Sequence, residues 1–168
     1  MQPKVSIIMG STSDLPVATK SAQQLDSLQI PFEMVALSAH RTPQEVETFA
    51  QQAEARGVQA IIAIAGMAAA LPGVIAAQTS VPVIGVPVKG MLDGLDALLS
   101  IVQMPPGIPV ATVGVGAGQN AALLAAQIIA TADKEVAARL RAFRAGLNQK
   151  IVEANETLRA EQYTYKTN

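Results

Sequence analysis

The chain has 168 residues, half of them hydrophobic but only 3% aromatic, so its core must be built from Ala, Val, Ile and Leu packed at short range. Lys and Arg number 12 against 13 Asp and Glu, a net charge of −1, which excludes the basic surplus of an electrostatic nucleic-acid binder and the polybasic face of a membrane-surface protein. With no Cys and a single His, disulfides, thiolate nucleophiles and Cys- or His-rich metal sites are excluded too.

In chain order, a first apolar run at residues 5–9 meets the turn Gly10-Ser11-Thr12-Ser13-Asp14 and a helical pattern over 15–28. A second run, 32–37, leads through Ser38-Ala39-His40-Arg41-Thr42-Pro43 into a helix over 44–56. The third, 60–65, is followed by Gly66-Met67-Ala68-Ala69-Ala70-Leu71-Pro72-Gly73 and a helix over 69–78. The fourth, 83–86, leads through Pro87-Val88-Lys89-Gly90 to a helix over 92–101. The fifth, 110–115, passes Gly114, Gly116 and Gly118 and enters a helix over 120–132. The runs are continuous rather than alternating, as strands covered on both faces should be. This order predicts the α/β class, with a parallel sheet, helices on both faces and right-handed crossovers. One domain spanning 1–168 is expected.

Residues 133–162 are charged and helix-favouring, and they read as a C-terminal helical arm that Gly146 or Asn148 interrupts. A solvated amphipathic helix and an arm docked on a neighbouring subunit both fit. The uncharged stretches 57–88 and 97–132 are broken by Pro and Gly, leaving no run of the roughly 18–20 apolar residues that a span needs. The first residues lack the apolar length of a signal peptide, so a soluble cytoplasmic protein without membrane partners is expected. Segment 120–132 is small and apolar on nearly every face, which demands burial all round. That predicts a symmetric homo-oligomer; the alternative is a helix sandwiched centrally within one chain.

In an open parallel sheet, ligands bind beyond the carboxyl ends of the strands. The first such turn is rich in small residues and hydroxyls and opens a helix, which favours an anion. Ser11 and Ser13 can add hydroxyl donors and Asp14 can accept from sugar hydroxyls, although Ser or Asp before a helix also serves as a plain N-cap. In the second loop Thr42-Pro43-Gln44-Glu45 matches a capping box, with Pro at the first helical position. That places His40 and Arg41 immediately before the helix. Arg41 can grip a phosphate with its forked donors. His40 is expected to stay neutral there and act as a base near pH 7; a surface His without a role is the alternative. The third loop is small and apolar, which suits either a dry pocket or plain helix–sheet packing.

Together MGSTSD (9–14), SAHRTP (38–43), AALPG (69–73), PVIGVPV (82–88), GLDALLSIVQMP (94–105) and NAALLAAQI (120–128) resemble the class I N5-carboxyaminoimidazole ribonucleotide mutases of bacterial purine biosynthesis, the PurE family. The resemblance implies a three-layer α/β/α sandwich of flavodoxin/Rossmann-like type, a homo-octamer, a small-molecule ribonucleotide substrate, and no metal or organic cofactor. It implies that a carboxylate moves from the exocyclic nitrogen of an aminoimidazole ribonucleotide to a ring carbon, through loss and recapture of CO2. On that reading Ser11, Ser13 and Arg41 hold the 5′-phosphate and Asp14 the ribose hydroxyls. His40 is the general acid and base, and the backbone of Ala68 and Ala69 lines the carboxylate and CO2 site. Ser38, Gly66, Ala70 and Leu71 complete the substrate-binding set. The chain departs from the family pattern at three places: Ala70 stands where a second His is usual, KGMLDG (89–94) replaces a turn containing Gln and Ser, and GVGAGQN (114–120) lacks the usual Lys. Two alternatives stay open, a carboxylase taking free CO2 with the unmodified ribonucleotide, and a nucleotide-binding protein without turnover, prompted by Ala70.

Overall fold

Five strands pair in parallel in the computed structural model, which describes residues 2–168. They are β1 (Val5–Met9), β2 (Phe32–Ala36), β3 (Ala60–Ala65), β4 (Val83–Pro87) and β5 (Ala111–Thr112), arranged across the sheet as β2-β1-β3-β4-β5. Six helices connect and follow them: α1 (Leu15–Ser27), α2 (Pro43–Gln51), α3 (Leu71–Ala76), α4 (Leu95–Val102), α5 (Gly118–Ala130) and α6 (Lys134–Ala160).

Every residue of β1, β3 and β4 is buried, and the alternation of strand side chains explains why. Val5, Ile7, Ile62, Ile64, Ile84 and Val86 pack with Leu25, Ala121, Ala125, Val136 and Leu140 of α1, α5 and α6. Ile8, Ile61, Ala63 and Val83 point the other way, onto Val46, Ala50, Ile75, Ala97 and Ile101 of α2, α3 and α4. The result is three layers, as a flavodoxin-like α/β fold requires. Each fully buried Ile or Leu contributes about 1.5–3 kcal/mol of transfer free energy, so the missing aromatics are replaced by many short aliphatic contacts.

Small residues set the helix spacing. A Cβ on Gly118 would lie 2.3 Å from the carbonyl oxygen of Val17, so α5 crosses α1 with their backbones nearly touching. Ser21, buried at the same crossing, donates to the Gly118 carbonyl at 2.8 Å. Gly85 in β4 likewise leaves room for Ile101 of α4, whose Cγ2 would sit 2.3 Å from an added Cβ.

At the amino end of the sheet polar groups pair off. The buried Ser6 hydroxyl donates to Glu33 at 2.6 Å, and Arg56 donates to the same carboxylate oxygen at 2.5 Å. The Arg56 guanidinium also lies 4.7 Å from the centroid of the Phe49 ring, a cation–π contact. Lys4 pairs with Asp133 at 2.8 Å. Asp133 caps α6 by accepting from the backbone N–H groups of Glu135 and Val136, and the Lys4 hydrogen bond holds its carboxyl below the usual range.

The differences from the sequence expectation that bear on the fold lie in four elements. β5 is two residues long rather than six, because it is an edge strand whose pairing turns irregular: Val113 N–H still reaches the Gly85 carbonyl at 3.1 Å and Gly116 N–H the Pro87 carbonyl at 2.8 Å. α2 ends at Gln51 and gives way to turns. α6 runs unbroken through Gly146, where nothing lies within 4 Å of an added Cβ. α5 buries Ala121, Ala122, Ala125 and Ala126 inside the chain, between the sheet, α1 and α6, with Leu123, Leu124 and Ile128 half-buried. The larger uncovered apolar face belongs to α4 and the loop before it. Among the described residues, no helix is long and apolar enough to cross a membrane.

Candidate active site

The strand order positions the site. β1 has β2 on one side and β3 on the other, so the chain leaves its carboxyl end toward one layer and leaves β2 toward the other. A crevice opens beyond β1 and β3 at this switch point. A cavity of about 600 Å³ lies there. Ser11, Ser13, Asp14, Ser38, His40, Arg41, Gly66, Ala68, Ala69, Ala70 and Leu71 all line it, so the site residues named from sequence converge on one place.

The loop after β1 folds as one tight turn over Thr12–Asp14. The Ser11 hydroxyl oxygen accepts from Ser13 N–H at 3.3 Å, and Ser13 Oγ donates to Asp14 at 3.4 Å. Pro16 then starts α1, where a missing N–H is harmless. Partial burial raises the Asp14 carboxyl above its ordinary value and outweighs the hydrogen bond from Ser13 that acts the other way.

The loop after β2 corrects the capping-box expectation. Thr42 makes no side-chain cap to α2. Its hydroxyl turns back instead, accepting from Ser38 N–H at 2.9 Å and donating to the Ser38 carbonyl at 3.2 Å. Thr42 N–H bonds the same carbonyl at 2.8 Å. This closed ring holds Ser38 to Thr42 as a unit and leaves Pro43 alone to start the helix. Arg41 ties that unit to the neighbouring loop: its Nη2 donates to the Gly10 carbonyl at 2.7 Å and its Nε to Ser38 Oγ at 3.3 Å. Its Nη1 has no hydrogen-bond partner among the described residues. His40 stands exposed on the cavity rim beside it.

The loop after β3 carries no ionisable side chain. Met67 and Ala69 adopt left-handed backbone conformations at φ +56° and +35°, which cost a non-glycine residue about 1–3 kcal/mol each. The Ala69 N–H to Gly66 carbonyl bond at 3.0 Å and the burial of Ala69 and Leu71 hold the strained turn in place. His40, Arg41, Met67, Ala68 and Lys89 are exposed at the cavity rim. Of the two readings of the apolar loop, helix–sheet packing describes Ala69 and Leu71, and the cavity beside them is open at its rim.

The loop after β4 adds Val88, Lys89 and Gly90 to the lining. No motif surrounds Lys89 in the sequence. Its position after the fourth strand of an open sheet was the available signal. The arrangement thus offers hydroxyls and a guanidinium for an anion, one imidazole to move a proton, and an apolar shelf between two cations.

Known proteins share this arrangement of elements. The family model described as AIR carboxylase matches residues 4–150. A Pyrococcus abyssi protein named N5-carboxyaminoimidazole ribonucleotide mutase is 56% identical over 143 residues, covering 84% of this chain and 82% of the relative. A Thermotoga maritima protein of the same name is 47% identical over 165 residues, covering 98% and 95%. The crystal structure of Treponema denticola PurE superposes with a TM-score of 0.85 at 35% identity, covering 93% of this chain and 98% of that one.

Proposed function

The chain belongs to the AIR carboxylase family, and we propose that it is a mutase interconverting N5-carboxyaminoimidazole ribonucleotide and 4-carboxy-5-aminoimidazole ribonucleotide in de novo purine biosynthesis. The observation that carries this reading is the convergence of a hydroxyl turn, Arg41, the lone His40 and an apolar shelf on one cavity at the switch point of the sheet.

The residues divide the work by chemistry. Ser11, Ser13 and the open edge of the Arg41 guanidinium hold the 5′-phosphate, and Asp14 accepts from the ribose hydroxyls. Ser38 keeps Arg41 in place, while Gly66, Ala70 and Leu71 shape the shelf under the imidazole ring. His40, charged as the imidazolium for this step rather than neutral as its place before α2 suggests, gives a proton to the exocyclic nitrogen as its bond to the carboxylate carbon breaks, releasing CO2. The CO2 stays against the backbone of Ala68 and Ala69. The ring carbon then attacks it, a carbon–carbon bond forms, and His40 recovers a proton from that ring carbon. One proton leaves the imidazole and one returns, so the sequence is an isomerisation without external reactants.

The description of the family as a carboxylase favours one second reading, use of free CO2 with the unmodified ribonucleotide. An absorbance assay of each substrate, with and without bicarbonate, separates the two. Turnover of the N5-carboxylated ribonucleotide without bicarbonate is expected, and turnover confined to bicarbonate plus the unmodified ribonucleotide would overturn the mutase reading. Binding with no product would favour a protein that only holds the nucleotide. His40→Asn is expected to lower kcat by roughly 10²–10⁴ while ribonucleotide affinity persists.

The whole chain acts on this proposal as one cytoplasmic catalytic domain, assembled as a homo-octamer with its 133–162 arm at a subunit contact. Two observations support assembly. Leu92, Leu95, Leu99 and Val102 leave an apolar face exposed on and before α4, larger than isolated surface leucines explain. Beyond Leu140, every residue of α6 except the half-buried Phe143 is exposed. Sedimentation as a monomer would defeat this part.

A further inference from the structure

We infer that Lys89 is a positioning residue for the migrating carboxylate, and that Asp93 holds its ammonium between the two carboxylated states. The inference rests on the mutase reading.

Arg41 and Lys89 are the two cations lining the cavity, and Asp14 is its one acidic side chain. They sit at opposite ends of it. Arg41 follows β2 and Lys89 follows β4, with β1 and β3 between them; at about 4.8 Å per strand, their strand ends are roughly 14 Å apart. Arg41 is tied to Gly10 and Ser38 on the hydroxyl side, where a phosphate belongs. The loop after β3, which lies between, carries no charge. A ribonucleotide with a phosphate at one end and a carboxylated imidazole at the other therefore meets one cation at each end.

The Lys89 side chain is held in a way that permits exchange. Its ammonium pairs with Asp93 at 3.0 Å, and the two side chains are 74% and 86% exposed, so the pair contributes little by itself. The loop base, in contrast, is fixed. Val88 N–H donates to the Ala65 carbonyl at 2.9 Å and Gly94 N–H to the Met91 carbonyl at 3.2 Å. Leu92 and Asp93 are left-handed at φ +50° and +54°. The Asp93 turn thus stands at a set place four residues past Lys89, while the long lysine stem swings.

A weak grip of this kind suits the reaction. The migrating group is an anion before and after transfer but neutral as CO2 in between. A cation locked onto the carboxylate would hold back its release. A lysine with a second partner can bind the carboxylate, return to Asp93 while CO2 is neutral, and pair again with the product.

The test is calorimetric affinity of the intact protein for 4-carboxy-5-aminoimidazole ribonucleotide and for the unmodified aminoimidazole ribonucleotide, paired with steady-state kinetics. Lys89→Met is expected to weaken the carboxylated ligand roughly fivefold at low salt and leave the unmodified one unchanged. The same variant should raise KM more than it lowers kcat, and Lys89→Arg should restore most of the affinity. Asp93→Asn is expected to tighten the carboxylated ligand, and it serves as the second probe should Lys89→Met fold poorly. Equal losses for both ligands, or no loss, would overturn the role of Lys89. A parent protein that turns over normally in that case keeps the mutase reading intact, whereas a parent that isomerises nothing removes that reading and this inference together.

Discussion

At the amino end of the sheet Ser6 and Arg56 both bond Glu33, and Lys4 closes on Asp133. At the carboxyl end the same kinds of residue bond mainly to loop backbone. Arg41 holds Gly10, Thr42 holds Ser38, and Lys89 rests on an exposed partner. Left-handed non-glycine residues divide the same way. Met67, Ala69, Leu92 and Asp93 lie in carboxyl-end loops, and Gln29 alone among the described residues lies on the other side. Polar groups that satisfy each other stabilise the fold and are finished with. Polar groups spent on shaping loops leave donors and charge facing a cavity, and the strain beside them is carried by the packed layers beneath.

Three substitutions probe that contrast beyond the tests given above. Glu33→Ala should have the largest effect on stability. It removes the carboxylate from a fully buried Ser6 and from Arg56, and an unpaired buried group costs about 1–3 kcal/mol. The denaturant midpoint should fall while kcat/KM stays at the parent value; a matching loss of rate would show that the two ends are not independent.

Asp14→Asn should act in the opposite sense. Partial burial raises this carboxyl, so whatever stability it contributes is full below the ordinary carboxylate pKa and is lost as pH rises through the raised value. The variant is therefore expected to melt slightly higher than the parent at pH 7, to lose that advantage near pH 3, and to bind ribonucleotide more weakly. A lower melting temperature at pH 7 would place Asp14 with the structural pairs instead. The smallest effect belongs to neither end: Gly146→Ala, on the bare face of α6, should stabilise by about 0.5–1 kcal/mol without touching turnover.

The fold class was legible because β1, β3 and β4 are covered on both faces, and that burial writes itself as unbroken apolar runs. β5 was not, because nothing in residues 110–115 announces that they form an edge. Helix α5 shows the limit of reading apolar faces. The sequence predicts that its alanines need a second subunit, yet their small size lets α1, α6 and the sheet close over them within the chain. An apolar face declares that it needs a cover and not which element supplies one. The place of His40 and Arg41 on the cavity could be read because ligands bind beyond the carboxyl ends of parallel strands, which needs only the alternation of strands and helices along the chain. The choice made by the Thr42 hydroxyl could not, because Ser38 and the first turn of α2 compete for it at similar distance along the chain. Lys89 is not legible as a site residue in the sequence because its neighbours form no motif.

The contact between Gly118 and Val17 lies at the same end of the sheet as the cavity, one layer behind the loops that line it. Val17 is three residues past Asp14, in the first turn of the helix that the hydroxyl turn opens. The clearance beneath that turn is set by a hydrogen atom on α5. On the proposed function, the α1–α5 crossing sets the height of the turn that would hold the sugar-phosphate, and a search for positions that retune this protein should include it as well as the mouth of the pocket.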